Sequence, residues 1–316
     1  MRALVLDREV TFRSDFPAPT RVPGESIVDV VRAGICATDL ELARGYMNYR
    51  GIPGHEFVGR VRASDQGSMI GRRVVGEINA GCGRCESCRA GLGRHCANRT
   101  VLGILGRNGA WAEQLALPDA NLRLVPDNVP DELAVFVEPL AAAFEILEQV
   151  QIPRNAGLLV LGDGRLGALV ALALQSEGYL PLVAGRHREK LARLQRLGLE
   201  TITEGTLDHQ FDLVVDCTGR NAGFERAVSL VRPRGTLVLK STTAASAAIN
   251  LAPLVVNEIS LVGSRCGRFE PALDALAAGR IDPRPLIDAT FALEDGAAAV
   301  RAAANPQNFK VLLSVS

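Results

Sequence analysis

AGLLVLGDGRLGALVALALQSEG, residues 156–178, puts a strand, a glycine turn and a helix into one uninterrupted run. The apolar residues before the turn show no alternation, the pattern of a strand buried on both faces. RLGALVALALQSEG (165–178) after it reads as a helix. A strand covered on both faces belongs to a parallel sheet with helices on either side. The residues downstream keep to that rule. YLPLVAG (179–185) reads as the next strand, and REKLARLQRLG (188–198) as a helix with Leu191, Leu194 and Leu197 on one face. FDLVVDCTG (211–219), a helix near 221–230, GTLVLKST (235–242) and EISLVGS (258–264) continue the alternation. The expectation is an α/β domain over residues 141–280, built on a doubly wound parallel sheet.

The turn carries a second message. GDGRLG sets Gly162, Gly164 and Gly167 in the pattern G-x-G-x-x-G. Alone, such a triplet marks a turn and nothing more; between a strand and a helix it marks a dinucleotide site. Gly162 permits the turn, Gly164 lets backbone approach a pyrophosphate, and Gly167 allows close helix packing. The helix N-terminus then faces the phosphates. Asp163, Arg165 and Leu166 of the loop, and Thr218 of DCTG (216–219), are expected beside the cofactor. A nicotinamide carrier implies hydride transfer. An NAD site usually ends its second strand in an acid about 20 residues past the first glycine, to bind the ribose 2′-hydroxyl. Here that position is Gly185, followed by Arg186, His187 and Arg188. Glycine leaves room for a 2′-phosphate and Arg186 can bind it bidentately. NADP(H) is therefore the preferred carrier and NAD(H) a possible one, with Arg186 then stacking on adenine instead.

Residues 1–140 read differently. MRALVL (1–6), SIVDVVRAG (26–34), HEFVGRVRA (55–63), RRVVGEI (72–78) and AWAEQLALP (110–118) are short strands joined by Gly- and Pro-rich turns. They predict an antiparallel, partly barrelled domain. Residues 281–316 return to mixed character, with a helix at 293–304 and a last strand, FKVLLSV (309–315). Thirty-five basic residues balance thirty-five acidic ones without like-charge blocks, which argues against nucleic acid and anionic membranes as partners. No apolar run reaches the roughly 20 residues of a membrane span, and the N-terminus has no secretory pattern. The expected compartment is the cytoplasm, where clustered cysteines suggest metal rather than disulfides.

Four of the seven cysteines lie in GCGRCESCRAGLGRHC (81–96): Cys82, Cys85, Cys88 and Cys96, spaced C-x2-C-x2-C-x7-C. A bacterial ferredoxin run would have a gap of about three before its last cysteine, followed by proline. Four thiolates complete a tetrahedron with no open position, which makes a structural zinc site of a lobe at 81–99. Arg84, Arg89, Arg94 and Arg99 are near enough in sequence to offset its negative charge, and His95 is a competing ligand to be weighed. Elsewhere Cys36, His55 and Glu138 offer a thiolate, an imidazole and a carboxylate, suited to a zinc site with its fourth position open. A metal there would acidify an alcohol, whose deprotonated form releases hydride. Taken singly, Cys36 and His55 are more often a core thiol and a satisfied histidine.

GICATDLEL (34–42), GHEFVG (54–59), the cysteine lobe, FVEPLAAAFE (136–145), GDGRLG, DCTG and the closing FKVLL occur in one order along the chain. Together they resemble the zinc-dependent medium-chain alcohol dehydrogenase family, near its threonine, sorbitol and glucose dehydrogenase branches, almost end to end. The resemblance implies a GroES-like catalytic domain made from both chain ends and a Rossmann domain between them. It implies that Cys36, His55 and Glu138 hold a catalytic zinc, with Glu56 a ligand that moves in or out. Asp39 then orients the histidine and Thr38 takes the alcohol's proton. Glu41 stands where some relatives carry a relay histidine, and the 38–55 loop is compact, with Tyr46 and Tyr49 as candidate pocket residues. Cys217 and Cys266 read as ordinary buried thiols.

The expected function is reversible oxidation of a small-molecule alcohol or polyol, preferably secondary, to a ketone or aldehyde. The assembly implied by the family is a homodimer or homotetramer. An enone or quinone reductase on the same fold is one alternative, against which the complete ligand set argues. A retired zinc- and nucleotide-binding protein is the other, and cofactor reduction by any alcohol excludes it.

Overall fold

The computed structural model describes residues 1–241 and 249–315, so Thr242, last in the expected strand 235–242, lies outside the described residues. The chain divides into two compact units. One comprises Met1–Glu138, Ala272–Ala277 and Asp282–Ser316, the other Pro139–Pro271 and Ala278–Ile281.

In the first unit the strands run in the order Leu122–Leu124, Arg73–Gly76, Glu56–Ala63, Glu25–Gly34, Lys310–Ser314, Ile287–Ala292, with Gln114–Pro118 also paired to Glu25–Gly34. All pairings are antiparallel except that of Ile287–Ala292 with Lys310–Ser314. Glu25–Gly34 is the axis of the arrangement, with Val28, Val30 and Ala33 buried. Its register matters for the chemistry: Gly34 lies opposite Glu56 on one side and Leu312 on the other. That pairing sets Cys36, two residues on, beside the His55–Glu56 segment. Gly34 must lack a side chain, because a Cβ there would fall 2.2 Å from Glu56 Oε2. A separate three-stranded sheet, Asn79–Ala80, Thr100–Leu102 and Gly106–Arg107, brackets the cysteine lobe in sequence.

The second unit holds a six-stranded parallel sheet in the order Glu200–Thr203, Pro181–Gly185, Leu158–Leu161, Phe211–Asp216, Val231–Leu239, Ser260–Gly263. Leu158–Leu161 is buried at all four positions. The helix Arg165–Ser176 is buried from Gly167 through Leu174, as its apolar sequence requires. Leu159, Leu161, Phe211, Val214, Phe224, Ala227 and Leu237 form one core cluster of this unit. Glu200–Thr203 (ETIT) was not separable in the sequence: it is four residues long, carries one aliphatic side chain and lies at the sheet edge. Among the described residues no helix is long and apolar enough to cross a membrane.

Candidate active site and metal centres

The lobe at 81–99 folds around its cysteines. Cys85 precedes the short helix Glu86–Arg89, and Gly81 is close-fitting, its imagined Cβ 3.0 Å from Cys88 Sγ. The Sγ atoms of Cys82, Cys85, Cys88 and Cys96 all lie within 4.8 Å of one another. Cys85 and Cys96 Sγ are 3.7 Å apart, far beyond a disulfide. It is close to the tetrahedral edge of about 3.8 Å that Zn–S bonds of about 2.3 Å imply. Backbone N–H groups of Arg84 and Cys85 pull the Cys82 thiol down to about 6. Loss of solvation pushes Cys88 up to about 11, so its ionisation calls for a cation. The donor set fits zinc. His95 is exposed and outside this group. Of the arginines, Arg99 donates to Cys96 O (3.0 Å) and Arg89 to Arg84 O (2.8 Å), so they tie down backbone of the lobe.

The second cluster forms where strand Glu25–Gly34 gives way to helix Ala37–Ala43, with Cys36 at the cap. Asp39 ties it together. Its Oδ2 accepts from Cys36 N (2.8 Å), its Oδ1 accepts from Gly54 N (3.2 Å), and Oδ1 lies 3.1 Å from His55 Nδ1. Despite that approach, His55 Nδ1 lacks an aligned hydrogen bond, and so does Glu56 Oε1; both atoms are buried. Donor atoms of Cys36, His55 and Glu56 all lie within 4.8 Å of one another. A buried carboxylate oxygen left without a partner beside a thiol, Glu56 Oε1, is what a metal would satisfy, and thiolate, imidazole and carboxylate suit zinc. Burial opposes charge on His55, yet Asp39 and Cys36 together outweigh it and raise the imidazole well above its ordinary value.

Glu138 is not in that group of three. It lies in the first turn of helix Val137–Gln149 and is buried, which pushes its carboxyl up to about 7; His55 acts against the rise and Glu56 adds to it. Charge coupling to both residues puts it within electrostatic reach of the cluster. Thr38 Oγ1 is 3.9 Å from Cys36 Sγ. Glu41 turns away: it pairs with Arg44 at 2.6 Å on the exposed face of its helix. Tyr46 is half-buried, and Tyr49 donates to Ile52 O (2.7 Å) at a cavity of about 390 Å³ that Met47, Asn48 and Asn108 also line.

Sequence reasoning missed Lys310. It is 1% exposed, with Nζ 2.5 Å from Glu56 Oε2 and 5.6 Å from the Phe136 ring. The available signal was a lone lysine in FKVLL, where every neighbour is a core residue. Lys310→Met leaves the Glu56 carboxylate buried and unpaired, and breaking such a pair costs about 3–5 kcal/mol. Urea unfolding should register that loss, with part of it recovered in Lys310→Met/Glu56→Gln. An unchanged midpoint in the single variant contradicts the pairing's importance.

In the second unit Gly162 adopts φ 121°, and a Cβ on Gly167 would fall 1.9 Å from Gly162 O, so the helix and turn close only on glycine. A Cβ on Gly164 would meet nothing within 4 Å; that open space at the helix N-terminus fits a pyrophosphate. Arg165 and Leu166, in the first turn, are half-buried. Thr218 donates through N–H (2.8 Å) and Oγ1 (2.7 Å) to Asp216 Oδ1, fixing the end of its strand. The room expected opposite Gly185 is already taken: a Cβ there would lie 2.3 Å from Asp163 Oδ2. Asp163, a side chain of the glycine loop, reaches across to the neighbouring strand end and fills it. Arg186 is 55% exposed, and its Nε lies 4.0 Å from Glu204 Oε2.

Residues 22–127 match the family model described as an alcohol dehydrogenase GroES-like domain, and residues 166–278 that of a zinc-binding dehydrogenase. The chain is similar to D-altritol 5-dehydrogenase of Agrobacterium fabrum, with 34% identity covering 79% of this chain and 80% of that one. It is similar to L-threonine 3-dehydrogenase of Chelativorans sp., with 31% identity covering 76% of each. Among solved structures it resembles an alcohol dehydrogenase of Escherichia coli CFT073 complexed with NADH, at TM-score 0.90 and 27% identity, covering 100% of this chain and 99% of that one.

Proposed function

The chain belongs to the zinc-type medium-chain dehydrogenase/reductase family, and on that premise we propose which of its residues carry the reaction. It is an NAD(P)-dependent oxidoreductase of alcohols or polyols; an enone or quinone reductase is not favoured by its relatives. Cys36, His55 and Glu56, with Glu138 in exchange for Glu56, hold the catalytic zinc, and Cys82, Cys85, Cys88 and Cys96 the structural one. The observation that carries this is the convergence of donor atoms of Cys36, His55 and Glu56 within 4.8 Å of one another, with Glu56 Oε1 buried and without a hydrogen bond. Zinc, when bound, supplies Lewis acidity to a hydroxyl, and the nicotinamide accepts hydride.

The protein's own groups do the rest. Asp39 holds the Cys36 and Gly54 amides and sets its carboxylate 3.1 Å from His55 Nδ1, so one acid places two of the donor residues. Lys310 offsets the Glu56 charge and keeps that carboxylate ordered. Thr38 Oγ1 accepts the alcohol's proton and passes its own to water, because Glu41 is engaged with Arg44. Gly162, Gly164 and Gly167 admit the pyrophosphate. NADP(H) is the preferred carrier in this reading, through the exposed Arg186, and NAD(H) the lesser one.

The substrate is a small polyol or amino-alcohol oxidised at a secondary hydroxyl, in keeping with relatives named for altritol and threonine. The reaction belongs in a reducing cytoplasm, which keeps the four lobe cysteines available to metal. Two copies pair through the edge strand Ser260–Gly263, beside which Leu251, Val255 and Val256 are exposed. A panel of polyols, sugars, amino-alcohols and simple secondary alcohols tests the function by reduction of NADP or NAD at 340 nm. Turnover of at least one polyol class by zinc-loaded protein is expected. No reduction with any of them would favour a retired binding protein.

A further inference from the structure

We propose that Asp163, a residue of the glycine loop, is the acid that opposes a 2′-phosphate on the adenosine ribose, standing in for an acid at the end of the second strand. This rests on the reading of residues 162–167 and 185–187 as a dinucleotide site.

Position is the first ground. Gly185 ends the strand Pro181–Gly185, and a Cβ built on it would overlap the carboxylate of Asp163, 2.3 Å from Oδ2 and 2.5 Å from Cγ. The carboxylate therefore lies where a side chain from the strand end would begin. Fixity is the second. Oδ2 accepts from Arg186 N (2.8 Å) and His187 N (2.7 Å), and His187 Nδ1 is 3.0 Å from Oδ1. A carboxylate only accepts, so Nδ1 carries the proton. Asp163 cannot swing aside without orphaning two amides of the turn. Charge is the third. Burial works against the ionised form, but the His187 and Arg186 donors outweigh it and hold the group below the usual carboxylate range. The turn thus presents one fixed anion beside one exposed guanidinium, Arg186, whose other acidic neighbour is Glu204 at 4.0 Å. Carrier choice follows from their balance: Arg186 attracts a 2′-phosphate, and Asp163 both repels it and can accept from a free 2′-hydroxyl.

The test is equilibrium binding of NADPH and NADH to Asp163→Asn and Arg186→Ala, by calorimetry or cofactor fluorescence, with thermal unfolding in parallel. Asparagine keeps an oxygen for the two amides and removes the charge. We expect Asp163→Asn to raise the NADPH-to-NADH affinity ratio by about tenfold at unchanged unfolding temperature, and Arg186→Ala to lower it. Asp163→Ser, smaller and also uncharged, gives the same direction if the amide is poorly accommodated. A ratio unmoved by either uncharged variant overturns the proposal and leaves Asp163 a tie for the turn. A parent that prefers NADH, with the ratio still rising in Asp163→Asn, upholds it while refuting the NADP(H) preference. Failure of the parent to bind either carrier would refute the dinucleotide site itself.

Discussion

Replacing Cys36 with serine or His55 with alanine should leave a folded protein that holds one zinc per chain and has no measurable dehydrogenase activity. Replacing Cys85 with serine should do the reverse in kind, lowering stability first and activity only as a consequence. The difference follows from where binding energy goes. The lobe at 81–99 contains two short helical turns and little else to hold it, and its 3.7 Å sulfur–sulfur approach matches thiolates sharing one cation. Its metal therefore stabilises the local fold. The Cys36 cluster sits on a strand end and helix cap held by Asp39 and by sheet pairing, so it survives without its metal. Elemental analysis, thermal unfolding and NAD(P)H formation at 340 nm on the same preparations separate the cases. A single zinc in the intact protein, or full activity in Cys36→Ser, would end the two-site reading.

Thr38→Val should lower turnover by about two to four orders of magnitude, the loss expected when an acid–base group is removed from the reacting proton. Valine keeps the branched shape in the first turn of Ala37–Ala43, so the cap and Asp39 stay in place. Cofactor affinity and zinc content should barely move. The comparison that decides is kcat measured at saturating cofactor beside zinc content. Turnover within threefold of the parent would mean that water takes the proton directly.

The change of hydrophobic period near residue 140 was legible because it depends on short-range pattern alone. Leu158–Leu161 is apolar without alternation and the helix Arg165–Ser176 is apolar almost all round; only a covered parallel sheet buries both. The cysteine lobe was legible for the same reason, since all its donors fall within sixteen residues. Short elements were not. Ala37–Ala43 and Glu200–Thr203 have little periodicity of their own and form because neighbours pair or cap them.

What the chain decides by itself is therefore local: the glycine turn, the strand–helix alternation and the ligand spacing of the lobe. Tertiary structure decided what meets what. Lys310 reaches Glu56 across 254 residues because the strand Lys310–Ser314 joins Glu25–Gly34 from the opposite side to Glu56–Ala63, and no window of sequence contains that pairing. Asp163 fills the space at Gly185 because adjacent parallel strands, Leu158–Leu161 and Pro181–Gly185, end side by side. A glycine in sequence denotes an absent side chain. Whether the vacated volume is left for a ligand or taken by a neighbour depends on the packing of strands that only the fold brings together.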